Sequence, residues 1–165
     1  MLTDKLRQFI VAALFLASTG IIKADAAPFS LIGTWALQSM VTVDVATGKT
    51  SKDFGEHPKG YVVYTPDYMS VVINADGREP IPADARNARE LQAKLFTTMT
   101  AHAGPYEFAN GKLVNHVKVA HDPKMVGHDL VRLIRIIDNN HLESTVPPAE
   151  RNGRRVKVVL IWERV

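Results

Sequence analysis

The sequence predicts a mainly β domain: an antiparallel up-and-down barrel of eight strands or so, with one helical insertion. Three observations carry that prediction. Short runs rich in Val, Ile, Thr and Tyr alternate apolar and polar residues along most of the chain, which is the period of a half-buried strand. Tight-turn pairs join the runs, among them Pro66-Asp67, Asn110-Gly111 and Asn152-Gly153, and such turns set consecutive strands side by side. Beyond the N-terminal apolar run, helical periodicity occurs in one stretch only, so no βαβ alternation is available for a parallel sheet. A meander of this length closes most naturally into a barrel, because closure removes both unpaired edges.

The first strand is Gly33–Val43. Trp35, Leu37, Val41 and Val43 share one face, with Ser39 interrupting; Thr34, Gln38 and Thr42 lie opposite, blurred by Ala36 and Met40. Thr47-Gly48-Lys49 ends the strand, and a polar stretch over 50–58 follows, where Phe54-Gly55 and His57-Pro58 block regular structure. Gly60–Thr65 and Tyr68–Ile73 form a hairpin across Pro66-Asp67: proline presets the turn dihedral and aspartate accepts turn N–H groups. A loop over 74–82 leads to the helix, Ala83–Ala101. There Ala88, Leu91, Leu95 and Met99 recur at three and four residues, and Asp84 is the expected N-cap. This helix is expected to pack on the barrel, across a mouth or against the outside. After Gly104-Pro105 come Tyr106–Ala109 and Lys112–His121, joined by Asn110-Gly111, a pair suited to the positive φ of a type I′ turn. Asp129–Asp138 and His141–Thr145 pair across Asn139-Asn140 by the same logic. Pro147-Pro148 and Asn152-Gly153 mark the last turn before Val156–Arg164, the expected partner of the first strand.

A chain of 165 residues is one domain, large enough to bury a core. It has no cysteine, which excludes disulfides and thiolate metal sites. The net charge of +3 is mild and scattered. Its densest basic cluster, residues 151–155, contains the Asn-Gly of a turn and reads as a solvated hairpin tip, not a nucleic-acid patch. At the N-terminus Lys5 and Arg7 precede Phe9–Ile22, a run of 14 mostly apolar residues, and then Ala24-Asp25-Ala26. This pattern reads as a secretory signal peptide over 1–26, leaving a domain over 27–165. The run is short for a spanning helix, which needs about 20 residues. The expected product is exported, periplasmic or secreted, with no stable membrane insertion after signal cleavage.

Several motifs, taken in order, resemble the lipocalin-like domain family of bacteria and fungi. They are Gly33-Thr34-Trp35, Gly60-Tyr61-x-x-Tyr64-Thr65-Pro66-Asp67-Tyr68-Met69-Ser70 and Gly104-Pro105-Tyr106-Glu107. Asn115-His116-Val117, Val126-Gly127-x-x-x-Val131-Arg132, Ser144-Thr145-x-Pro147-Pro148 and Trp162-Glu163-Arg164-Val165 continue the series. The resemblance covers about residues 31–165 and implies a calycin-type barrel with an internal cavity. It also implies that Trp35 packs across one barrel end with Arg164 over its indole, closing the floor through cation–π stacking. One position departs from the pattern: where the family has a Trp before the Val-Gly pair, this chain has Met125.

An eight-stranded barrel is either filled by its side chains or holds one small ligand. A ligand hiding about 200 Å² of apolar surface gains roughly 5 kcal/mol before association costs. Tyr61, Tyr64, Tyr68, Met69, Tyr106 and Phe108 are available to line such a cavity, although ordinary core packing is the first reading of each. Tyrosine stands out because a buried phenol needs a hydrogen-bond partner, and a ligand can be one. His116 shares a face with Lys118 but also with Val114 and Ala120, so alternation leaves its side open. Arg132 shares a face with Leu130, Ile134 and Ile136. If that face is inward, its guanidinium needs a carboxylate, such as Glu163 or Glu107, or a ligand anion.

The expected ligand contacts are thus Tyr64, Met69, Tyr106, His116 and Arg132. His116, His121 and His128 lack the spacing that puts imidazoles on one face, so no metal is expected, nor any other cofactor. No Gly-x-Ser-x-Gly elbow is present. The function expected is binding of a small hydrophobic or amphipathic molecule in the barrel cavity. One alternative is an isomerase or cyclase in the same cavity, with Tyr106 or His116 moving a proton and Arg132 stabilising negative charge. Another is a filled barrel acting as an interaction module.

Overall fold

The computed structural model describes residues 29–165; the signal peptide expected over 1–26 lies outside them. In order, the described elements are β1 (Gly33–Asp44), β2 (Thr50–Ser51), β3 (Lys59–Tyr64), β4 (Tyr68–Asn74), α1 (Ala88–Thr97) and β5 (Met99–Ala109). They continue with β6 (Lys112–His116), β7 (Val119–Ala120), a 3-10 turn at Pro123–Met125, β8 (Asp129–Ile136), β9 (His141–Arg151) and β10 (Arg154–Arg164). One antiparallel sheet runs β10-β9-β8-β6-β5-β4-β3-β1, and β10 pairs back to β1. Eight strands therefore close a barrel, and β2 and β7 are short additions on β1 and β5. The seam extends from Trp35↔Arg164 to Asp44↔Val156.

Turn chemistry fixes the hairpins. Asn110 and Gly111 have φ of 51° and 74°, and Asn152 and Gly153 have 51° and 72°, the two positive values a type I′ turn requires. The Asn139-Asn140 turn is built differently. Neither residue has positive φ; the Asp138 carboxylate instead accepts the backbone N–H groups of Asn140 and His141 at 2.7 and 2.8 Å. That side-chain turn ends β8 at Ile136, two residues short of Asp138.

Bulges explain where simple alternation fails. β1 shifts register between Leu37 and Ser39, so one extra residue reverses the faces beyond it. Trp35 and Leu37 are buried before the bulge and Thr42 after it. Val41 and Val43, expected on the inner face with Trp35, are only half-buried. A second irregularity, between Val156 and Val158 of β10, faces Pro147-Pro148. It lets β9 run on to Arg151 past two residues that cannot donate to a ladder.

Two expected elements are corrected. The helix covers Ala88–Thr97, not 83–101, and its N-cap is Asn87, without a side-chain bond, not Asp84. Residues 99–105 instead pair with the whole of β4, from Asn74↔Met99 to Tyr68↔Pro105, because β4 would otherwise be left as an open edge. Lys112–His121 is likewise two strands. At the break the chain crosses β5 so closely that a Cβ on Gly104 would lie 2.0 Å from the His116 carbonyl oxygen. Val117 and Lys118 then bond separately, to the carbonyls of His128 and Ala103.

The core lines the barrel interior. At the floor Trp35 is buried, and Arg164 lies over its ring at 4.1 Å from the centroid. The guanidinium also donates to the carbonyls of Ile32 at 2.9 Å, Ser30 at 2.6 Å and Asn139 at 3.3 Å. The indole N–H of Trp35 donates to the Leu31 carbonyl at 2.9 Å. Gly33 has φ of 133°, and a Cβ there would meet Arg164 Nη1 at 2.9 Å. The floor is thus closed by stacking and by hydrogen bonds to carbonyls that no strand satisfies.

Candidate functional site

Beyond that floor the barrel encloses a cavity of about 360 Å³. Strand alternation builds most of its wall: Val62 and Tyr64 from β3, Met69, Val71 and Ile73 from β4, and Val158, Leu160 and Trp162 from β10. Their neighbours Tyr61, Val63, Tyr68 and Val72 face outward and are exposed. Met40 reaches the wall because of the β1 bulge. At the end remote from the floor the lining includes Phe54, Met125, Leu130 and the exposed Arg151.

Polar side chains interrupt this apolar wall on one side. His102 and Asn115 are buried and bonded to each other. Asn115 Nδ2 donates to the carbonyls of Gly104 and Pro105, each at 3.2 Å. Its Oδ1 must therefore be the acceptor toward His102 Nδ1, 2.9 Å away, which fixes the proton on Nδ1 and leaves Nε2 as a bare acceptor. Burial, reinforced by the charge of Arg132, lowers the His102 pKa to about 4, so the ring is neutral at ordinary pH. Ser144 and Thr100 add hydroxyl groups to the wall.

Arg132 is the charge in this interior. It is half-buried by area, and desolvation holds its pKa below the usual arginine value. Its Nη1 donates to the adjacent Val131 carbonyl at 2.8 Å. The two carboxylates that could have answered it are engaged elsewhere. Glu163 accepts from Gln38 Nε2 at 2.8 Å, and Glu107 lies 3.5 Å from His116 Nε2. Burial pushes the neighbouring Tyr64 phenol well above its ordinary pKa, so it stays protonated.

Of the residues expected at the site, Tyr64, Met69 and Arg132 line the cavity. Tyr106 stands behind the wall, edge-on to Tyr64 at 5.3 Å, with its hydroxyl donating to the Thr65 carbonyl at 2.9 Å. His116 lies on the outer surface. Its Nδ1 is 2.7 Å from Asp129, and that hydrogen bond, with Glu107 nearby, raises its pKa. His102, Asn115, Ser144 and Arg151 are lining residues that the sequence reading missed. The period-two series Thr100, His102, Gly104, Tyr106 was the available signal, hidden by extending the helix through 101.

No α1 residue lines the cavity. The helix has no buried residue; Phe96 rests on the His121 ring at 5.1 Å, and Arg78 Nη1 donates to the Leu95 carbonyl at 2.5 Å and to Thr98 Oγ1 at 2.9 Å. Among the described residues no helix is long and apolar enough to cross a membrane. A family model for a lipocalin-like domain matches residues 32–165, nearly all of the described chain. No curated protein matches it.

Proposed function

Since this chain belongs to the lipocalin-like domain family, we propose that it binds a small hydrophobic or amphipathic molecule in the barrel cavity. The observation that supports this most is the cavity itself, about 360 Å³ inside a closed sheet. Small-molecule sites run from roughly 300 to 1,000 Å³ and are mostly apolar with a few placed polar groups, as this wall is. The same space argues against a filled barrel working only through its surface. Met125, which stands where the family pattern has a Trp, is part of the lining, so this chain's selectivity differs from that of relatives with the larger side chain. The signal-like residues 1–26 support an exported, periplasmic or secreted, site of action.

Native mass spectrometry of the gently purified protein, followed by denaturing extraction, tests the reading. The expected result is a bound mass that leaves with organic solvent. Apo protein that also shows no thermal shift with fatty acids or terpenoids would sink it.

A second reading, proton-transfer catalysis in the same cavity, is favoured by one observation. His102 is neutral, oriented by Asn115 and open at Nε2, the state of a general base. Tyr106 and His116 do not line the cavity, so in this reading His102 takes the role expected of them. Conversion of the extracted compound during incubation to an isomer of equal mass, resolved by chromatography and abolished in H102Q with binding retained, is the result this reading requires.

A further inference from the structure

Building on the cavity-binding reading, we propose that the ligand is an anion: an amphipathic carboxylate whose head group pairs with Arg132 and whose tail lies along the β3, β4 and β10 wall. Four observations converge on this. The cavity lining contains two arginines, Arg132 and Arg151, and no aspartate or glutamate. A cavity lined by positive charge with no counter-ion among its lining residues favours an anionic guest and disfavours a cation.

Arg132 also has no internal solution. Among the described residues its only hydrogen bond is to the carbonyl of the residue before it, and none of the ion pairs includes it. No sequestered side-chain nitrogen or oxygen of the described residues lacks a partner. The guanidinium nitrogens that Val131 does not engage therefore touch open space, and the space that Arg132 lines is the cavity. A planar guanidinium presents paired donors that fit the two oxygens of a carboxylate.

The groups around it are of the right kind. Tyr64 keeps its proton, so its phenol can donate to a carboxylate oxygen, and Ser144 supplies a second hydroxyl. A carboxylate that feels the charge of the second arginine, Arg151, is Asp53. Asp53 is itself occupied, accepting from Thr42 and Ser51 at 2.7 Å each. The cavity lining thus offers a cation and neutral donors, and most of the remaining wall is hydrocarbon and aromatic.

Calorimetric titration of the purified protein with decanoate, decanol and decyltrimethylammonium, chains of equal length and different head groups, tests the assignment. Decanoate should bind about 10- to 100-fold more tightly than decanol, the worth of a hydrogen-bonded charge, and the cation should not bind. In R132M the preference for decanoate should vanish while decanol affinity stays within about twofold. Equal affinity for decanoate and decanol, or binding of the cation as tight as that of the anion, would overturn the carboxylate assignment and leave cavity binding intact. Failure of all three to bind would overturn both. Should R132M fail to fold, the comparison of the three head groups on the wild-type protein decides alone.

Discussion

Two arginines on inward-facing strand positions do opposite things. Arg164 is answered by three backbone carbonyls and an indole, and its replacement by alanine should cost about 2–4 kcal/mol in urea unfolding. Gly33 supports the same contact. G33A forces a side chain into a φ of 133° and against the guanidinium, and should cost about 1–3 kcal/mol by the same measurement. Arg132 is answered by a single neighbouring carbonyl. Replacing that uncompensated charge by methionine should leave the apo protein as stable or more so, by about 1–3 kcal/mol, in thermal melts; a large loss would mean that the guanidinium holds β8 in place. His102 sets a pH dependence. Its folded pKa, about 4, lies below the ordinary 6.5. Its contribution is full above about pH 6.5, where both states are neutral. It is lost as pH falls toward 4, at about 1.4 kcal/mol per pH unit, because only the unfolded chain takes the proton. H102Q should flatten urea midpoints over that window. His116, half-buried on the outer surface and raised in pKa, acts with the opposite sign, its contribution fading as pH rises. The sequence made Arg132 visible because its face is otherwise Leu130, Ile134 and Ile136. It hid His102, whose inward direction depends on where a helix stops.

At the level of elements, the misplaced boundary between α1 and β5 shows what local pattern leaves out. Met99 follows Leu95 at helical spacing, so the apolar periodicity of the helix continues through it. Pairing decides otherwise, since every residue of β4 finds its partner between Met99 and Pro105. The strand faces were misread for a related reason. A bulge is a property of two strands in register, and β1 alone announces it only as a broken alternation around Ser39. The hairpins were legible because Asn-Gly turn chemistry is local. Gly104 is the element-scale position most sensitive to change. With the end of β6 and the link from it to β7 passing directly over it, G104A should lose about 3 kcal/mol or more, or fail to accumulate, where accumulation and urea unfolding are compared with wild type. α1 should behave in the opposite way. Held from outside by Arg78 and lacking any buried residue, it should exchange its amide hydrogens far faster than the barrel strands, and R78A should widen that gap while leaving ligand affinity unchanged.

For the molecule as a whole, eight barrel strands and their meander order were readable from turn spacing, whereas the interior was not. The count depends on where turns fall; the chemistry of the cavity depends on parity, and bulges reset parity. The seam between β1 and β10 has a further consequence, for the order in which the chain acquires structure. Its pairs join residues such as Trp35 and Arg164 from opposite ends of the domain, so the contact that completes the sheet is also the most distant in sequence. Such topology folds slowly, in milliseconds to seconds. A ribosome-bound chain ending before Val156 has neither a closing strand nor the arginine of the floor, and should remain open to protease; the completed, released chain should become resistant. If the proposed export runs through a channel admitting only extended polypeptide, a fold that waits for its last strand would stay threadable until synthesis is finished.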